Sequence, residues 1–412
     1  MHSPQPENLL RNVNFLQLVA GRVAGSFATQ MQSIVVAWQI YELTHDPLTL
    51  GYVGLAQFIP MAILVLPAGD LADRIDRRWI LTLSWLTQCI ASGLFLGLTL
   101  SGNTALLPFY GVLTLFGVGR AFSGPAMQSF LPLLVPKHQL AKAIAWNASA
   151  FQTAVIAGPS LGGAIYLLGP AFAYSLCAIL LGIASLLVFL IRGQGRQQIS
   201  APGPSAFARF TAGIAYVRGQ PIVLGAISLD LFAVLLGGAT ALLPIYANDI
   251  LNVGPSGLGM LRSSVAVGAF AMAIWLGRYP IKRHGGAIMF ASVAVFGVAT
   301  IVFALSQSFI LSLGALFILG ASDMISVYIR GTLIQLATPD EMRGRVSAVN
   351  MLFIGASNEL GEFESGVTAA WFGTVRAVIF GGAGTLAVVG LWMKWFPALR
   401  NVDRLEDASV KD

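Results

Sequence analysis

Runs of about 20 apolar residues alternate with short polar breaks along nearly the whole chain. Each run is long enough to cross a hydrocarbon core of roughly 30 Å as a helix. The pattern predicts twelve spans, near 14–40, 48–68, 79–100, 105–134, 140–167, 171–191, 221–247, 257–277, 286–305, 309–336, 345–372 and 377–396. No water-soluble domain of useful size fits between them. The first residues, Met1 to Asn12, read as a polar tail and not as a cleavable signal peptide.

The longest polar segment, 192–220, separates six spans from six. It opens with Gly, Gln, Ser and Pro, the composition of a flexible linker. Then Phe207, Phe210, Ile214 and Val217 recur at helical spacing, with Arg209 and Arg218 off that face. This predicts a short amphipathic helix lying on the inner membrane surface. The expected architecture is an all-α integral membrane protein. It has a six-helix bundle over 1–191, a linker over 192–220, and a second bundle with a polar tail over 221–412.

The two halves look alike. Pro136 and Asn147 enter span five as Pro339 and Asn350 enter span eleven, at an offset of 203 residues. The same offset carries Arg120, in span four, onto Asp323, in span ten.

Hydrophobic residues make up 56% of the chain and charged residues 10%, which leaves no ordinary soluble class open. Four basic residues (Arg22, Arg120, Arg262, Arg330) lie in spans, and Arg376 falls in a loop on one side. The rest of the 24 Lys and Arg fall in the termini, the loops and the adjoining span ends on the other side. By the positive-inside rule the termini and the charged loops face the cytoplasm. The basic residues are scattered over loops, so no nucleic-acid partner is expected. Cys89 and Cys177 lie far apart in separate spans, and neither a disulfide nor a thiol metal site is expected.

The densest charge sits between spans two and three. In Gly69-Asp-Leu-Ala-Asp-Arg-Ile-Asp-Arg-Arg78, six of ten residues are charged. The segment reads as a short loop. It resembles the loop 2–3 signature of the major facilitator superfamily, with matches at Gly69, Leu71, Ala72, Asp73, Arg74, Arg77 and Arg78. Asp76 departs from the pattern, where glycine is usual. The resemblance implies a conformational latch. Gly69 would pack closely on span eleven, Asp73 would face that helix's N-terminus, and Arg74, Arg77 and Arg78 would pair with acids or lipid phosphates. The bland alternative is a charged cytoplasmic loop. Gly158-Pro159-Ser-Leu-Gly162-Gly163 in span five resembles the Gly-Pro motif of exporters in the superfamily, set against ordinary small-residue helix packing. Arg120-Ala-Phe-Ser-Gly124 is similar to an Arg-x-x-x-Gly motif of proton-coupled members. The segments 38–44, 210–218 and 358–363 resemble the enterobactin-exporter-like branch, among bacterial drug:proton antiporters. The resemblance implies residence in the bacterial inner membrane, with both termini cytoplasmic.

An ionisable side chain at bilayer depth costs roughly 3 kcal/mol or more, so it usually faces a cavity or a partner. The cations at depth are Arg22 and Arg120, with Arg262 and Arg330 nearer span ends; the acids are Asp230, Asp323, Glu359, Glu362 and Glu364. In span one, Arg22, Ser26, Thr29 and Ser33 share one helical face, and in span ten Asp323, Ser326 and Arg330 do. Spans one, four, seven and ten line the central cavity in facilitator folds, which makes Arg22, Ser26, Thr29, Arg120, Asp230, Asp323 and Ser326 the substrate candidates. Glu359 and Glu362 share a face of span eleven, and two close carboxylates raise one another's proton affinity. No histidine lies in a span, so a coupling proton would ride on Asp230, Asp323, Glu359 or Glu362. The alternatives for Glu359 and Glu362 are a structural pair, and for Asp323 an ion pair with Arg120.

The expected function is therefore proton-coupled export of an amphipathic small molecule, a siderophore or drug. The expected partners are that molecule and the bilayer, with a proton as coupling ion and neither a cofactor, a metal nor an obligate protein partner. Uncoupled facilitation, solute import and a non-transporting scaffold or receptor are the competing readings. An enzyme is not expected, because no nucleotide loop, metal-ligand spacing or nucleophile–base pair is present; Gly381-Gly-Ala-Gly384 opens span twelve and is no phosphate cradle.

Overall fold

A computed structural model describes residues 9–192 and 206–408. Every regular element in them is helical. The first six long helices are α1 (Val13–Thr44), α2 (Pro47–Arg74), α3 (Arg77–Leu100), α4 (Leu106–Leu134), α5 (Leu140–Tyr166) and α6 (Pro170–Phe189). The linker helix α7 (Ala206–Gly219) precedes α8 (Pro221–Leu236), the short α9 (Leu243–Ile245) and a π-turn over Tyr246–Ile250. Then come α10 (Gly254–Arg278), α11 (Gly285–Leu305), α12 (Phe309–Leu336), α13 (Asp340–Phe372), α14 (Thr374–Trp395) and α15 (Pro397–Arg400). Among the described residues nine helical stretches are both long and apolar enough to cross a bilayer. The helices α1, α5 and α13 have spanning length, at 32, 27 and 33 residues, but are less apolar.

Three expectations need correction. The motif between spans two and three is not a loop: α2 runs through Arg74 and α3 begins at Arg77. Asp76 accounts for the tight join, because its carboxylate accepts from the Arg78 backbone N–H at 2.9 Å and caps α3. Span seven is one apolar stretch, Pro221–Ile250, but not one α-helix. It breaks after Leu236 at Gly237-Gly238, and Pro244, which has no N–H, follows in the irregular part. Finally, α7 does not lay its whole apolar face on the membrane. Val217 is buried against Val223, Ile334, Val346 and Val349, with Phe210 and Ile214 packed beside it. Gly213 permits this, since a Cβ there would stand 2.7 Å from the Arg345 carbonyl. The Tyr216 hydroxyl donates to the Ala337 carbonyl at 2.7 Å, and only Phe207 faces outward. The linker preceding α7 and Arg196 lie outside the described residues.

The chain forms two compact units: 1–43 with 56–206, and 44–55 with 207–412. Each is built the same way. In the first, α3 packs against α4 and α6; in the second, α11 packs against α12 and α14. The repeat is sharpest at glycines 203 residues apart. Gly117 of α4 sits against the Gln57 carbonyl of α2, and Gly320 of α12 sits against the Val265 carbonyl of α10. Gly158 of α5 sits against Gln30 of α1, and Gly361 of α13 against the carbonyls of Val234 and Leu235 at the end of α8. A side chain at any of these would push two helices apart. Gly381 and Gly382 serve the same end, against Leu236 and Gly297.

Candidate functional site

In the second unit, Asp230 interrupts the otherwise apolar α8, PIVLGAISLDLFAVLL. Its carboxylate is 5% exposed and pairs with the guanidinium of Arg330 of α12, 2% exposed. Ser326, one turn before Arg330, donates to the other Asp230 oxygen at 3.5 Å. Asp323 stands a further turn back and lines a small cavity with Asp230, Phe296, Ser322 and Ser326. Asp323 makes no hydrogen bond or ion pair among the described residues. Ala233 and Val293 line the same cavity, and Leu229, Ile329 and Leu333 belong to the buried apolar cluster of these helices. The spacing 323, 326, 330 puts all three polar groups on one face of α12. Arg330 lies six residues before the end of α12, nearer that span's end as expected, and is the buried partner of Asp230.

The acids of α13 are arranged differently. Glu362 pairs with Arg262 at 3.7 Å with both side chains partly exposed, and Arg262 also donates to the Thr240 carbonyl at 3.3 Å. Such a pair contributes little stability. Glu364, on the other face, accepts from Thr368 at 2.7 Å. Around Glu359 and Glu362 the start of α2 lies close: a Cβ on Gly54 would be 2.9 Å from the Glu362 carboxylate and 3.3 Å from the Glu359 carbonyl.

In the first unit, Arg22 stacks over the Phe151 ring of α5 at 4.5 Å, and its Nε is buried without a hydrogen-bond partner. Arg120 donates to Gln57 at 2.9 Å. The other polar positions of α1 make contacts within the unit. Thr29 donates to Gln88 at 3.3 Å, Gln32 accepts from Ser92, and Gln39 donates to Thr99 at 3.1 Å while accepting from Tyr174 at 2.7 Å. Ser26 is buried beside this seam, and the Ser33 hydroxyl turns back to the Gln30 carbonyl. The seam between α1 and α3 was legible only as uncharged Thr, Gln and Ser at near-heptad spacing (29, 32, 39 and 88, 92, 99), a signal that charge counting passes over.

Of the motif residues, Arg77 is buried at the start of α3, and Arg78 donates to the Ile191 carbonyl at 3.0 Å and lies over Trp79 at 5.5 Å. A carbonyl just beyond a helix C-terminus is a favourable place for a cation. A Cβ on Gly69 would meet nothing within 4 Å. The side chains of Asp73 and Arg74 lie outside the described residues. In span five, a Cβ built on Gly158 would stand 2.6 Å from the Gln30 side chain and one on Gly162 2.8 Å from the Met31 backbone, and Pro159 is buried between them.

Long apolar helices in two units of repeated packing, with ionisable groups buried at bilayer depth, define a polytopic membrane transport protein. The sequence profile of the Major Facilitator Superfamily matches residues 18–362, and the chain belongs to that superfamily. Macrolide efflux protein A of Streptococcus pyogenes is 24% identical over 90% of this chain and 93% of its own length. The enterobactin exporter EntS of Citrobacter koseri is 25% identical over 87% of this chain and 85% of its own. Among solved structures, a bacterial homologue of the human lysosomal transporter Spinster superposes with a TM-score of 0.73 at 14% identity, covering 96% of this chain and 97% of that one. A bacterial homologue of the iron transporter ferroportin gives 0.72 at 16%, covering 96% and 100%. These proteins are transporters, not enzymes, and the chain is a transporter with them.

Proposed function

We propose that this transporter exports an amphipathic small molecule across the bacterial inner membrane in exchange for protons, with both termini in the cytoplasm. The observation that carries the coupling is the buried group of Asp230, Arg330, Ser326 and Asp323 at one cavity. Asp230 is held by a cation, whereas Asp323 faces the cavity without one, so Asp323 is the carboxylate best placed to take and release a proton. Proton entry supplies about 1.4 kcal/mol per pH unit and about 2.3 kcal/mol per 100 mV. Export is supported by the names of the relatives, a macrolide efflux protein and an enterobactin exporter. Arg22, stacked on Phe151, is the group we assign to an anionic or aromatic part of the substrate.

The test is internal pH in proteoliposomes while candidate macrolides and catecholate siderophores are added, for wild type and Asp323→Asn. Substrate-driven proton flux that disappears in the variant supports the reading. Substrate movement without proton flux in wild type overturns it. An uncoupled facilitator is the second reading, favoured by the partners that Asp230, Glu362 and Glu364 already have.

A further inference from the structure

The second unit contains a cavity of about 550 Å³ that the transport reading does not use. One wall is the α10–α11 connection, Pro280 to Arg283; the other is the tail segment Arg404 to Glu406; the floor is Tyr328, Thr332 and Leu336 of α12. The volume lies within the usual range for ligand pockets. Among the described residues, Lys282, Arg283 and Arg404 line it with one acid, Glu406, and Arg404 has a further partner of its own. The walls are joined by a built contact. Asp403 accepts from the His284 backbone N–H at 2.9 Å, its carbonyl accepts from the Gly285 N–H at 2.9 Å, and the Val402 carbonyl accepts from Gly286 at 2.9 Å. Leu405 fills the space over Gly285, where any Cβ would collide with it. The tail is therefore a fixed wall of the cavity.

The position of the cavity along the bilayer normal is marked independently. Trp275, in the last turn of α10, and Tyr279, the residue that follows the helix, are 60% and 56% exposed and pack ring on ring at 4.8 Å. An exposed Trp–Tyr pair at the end of a span sits at the headgroup level, and Pro280, the next residue, lines the cavity. Ile281 and Leu405 give the cavity apolar wall, and the Tyr328 hydroxyl, on its floor, has no hydrogen-bond partner among the described residues.

We propose that this cavity binds the headgroup of an anionic phospholipid. The phosphate is held by Lys282, Arg283 and Arg404 with the Tyr328 hydroxyl as a further donor, and the acyl chains run along the apolar end of α10. Lys282, Arg283 and Arg404 are exposed, and basic clusters at the cytoplasmic membrane surface recognise such headgroups through charge-assisted bonds to the phosphate. The proposal does not depend on what is transported.

Native mass spectrometry of the full-length protein, titrated with dioleoyl phosphatidylglycerol, dioleoyl phosphatidylcholine or inorganic phosphate, tests it. Wild type should bind phosphatidylglycerol at least five-fold more tightly than phosphatidylcholine. That preference should vanish in the Lys282→Ala, Arg283→Ala, Arg404→Ala variant and persist in Lys137→Ala, Lys142→Ala, which removes two cations of the other unit. Tyr328→Phe should weaken binding about two- to five-fold with an unchanged unfolding temperature. Equal binding of the two lipids, or an unchanged preference in the triple variant, overturns the proposal. Inorganic phosphate that displaces phosphatidylglycerol at equal concentration also overturns it, because the site then takes a soluble anion.

Discussion

Asp230→Asn would leave the Arg330 guanidinium, 2% exposed, without the carboxylate it pairs with. Breaking a buried pair from one side costs about 3–5 kcal/mol, and insertion scales give about 3 kcal/mol for a lone arginine at mid-helix depth. At about 2–4 °C per kcal/mol for a unit of this size, Asp230→Asn should lower the apparent unfolding temperature by about 6–20 °C. Arg330→Met leaves a carboxylate, which can take up a proton and become neutral, so its penalty should be smaller at acid pH than at neutral pH. The double variant removes both charges and should lie within about 2 kcal/mol of wild type, since an apolar replacement for a whole buried pair is often neutral. Scanning fluorimetry at one fixed heating rate, on the four proteins of the cycle in one detergent, measures the coupling directly. Single variants whose losses simply add, or an Asp230→Asn protein that melts with wild type, would refute the assignment of a buried ion pair. Transport by the double variant then separates roles. Efflux retained without proton coupling would place Asp230 in the coupling step, and efflux retained in full would leave the pair purely structural.

Gly162→Val should destabilise by about 1–3 kcal/mol in the same assay, because Met31 backbone atoms lie 2.8 Å from the new Cβ. Gly69→Ala, where nothing lies within 4 Å, should be neutral or stabilising by up to about 1 kcal/mol; efflux lost at unchanged stability would show that Gly69 needs its bareness in another conformation of the cycle. Asp76→Ala should cost about 0.5–2 kcal/mol through loss of the α3 cap, and Asp76→Ser should recover most of it. Glu362→Gln should change the unfolding temperature by less than about 4 °C, since its partner Arg262 is partly exposed; a loss of efflux far beyond that would make Glu362 a transport residue.

The helices were legible because each span must satisfy its own backbone in lipid, which forces long apolar runs on the sequence. The acids at depth were legible because their cost makes them rare. Their partners were not, because a partner is fixed by which helices touch. Asp230 and Arg330 are 100 residues apart, and nothing in hydropathy says that their helices meet. The signature at 69–78 was misread as a loop because charge density resembles one, although Asp and Arg are admissible in the last turn of one helix and the first of the next. The break in α8 was visible as Gly237-Gly238, but a glycine pair inside a span also serves close packing, and here it does both.

The repeat itself separates packing from chemistry. Gly117 and Gly320 hold equivalent helix crossings, as do Gly158 and Gly361, because only a missing Cβ lets those helices approach. Even Asn147 and Asn350 keep the same condition, each with a buried carbonyl oxygen that no described residue satisfies. The charges do not repeat. At depth the first half carries Arg22 and Arg120 and no acid, whereas the second carries five acids against Arg262 and Arg330. The offset that preserves the glycines turns Arg120 into Asp323. On the proposed reading, a duplicated scaffold with opposite charge in its two halves would keep anion recognition in the first half and proton handling in the second. The division has a direct consequence: Arg22→Gln should alter which substrates are exported while leaving protons exchanged per substrate unchanged, and Asp323→Asn should do the reverse. Stoichiometry measured from paired substrate and proton fluxes in the two variants decides it, and a change of stoichiometry in Arg22→Gln would end the division of labour.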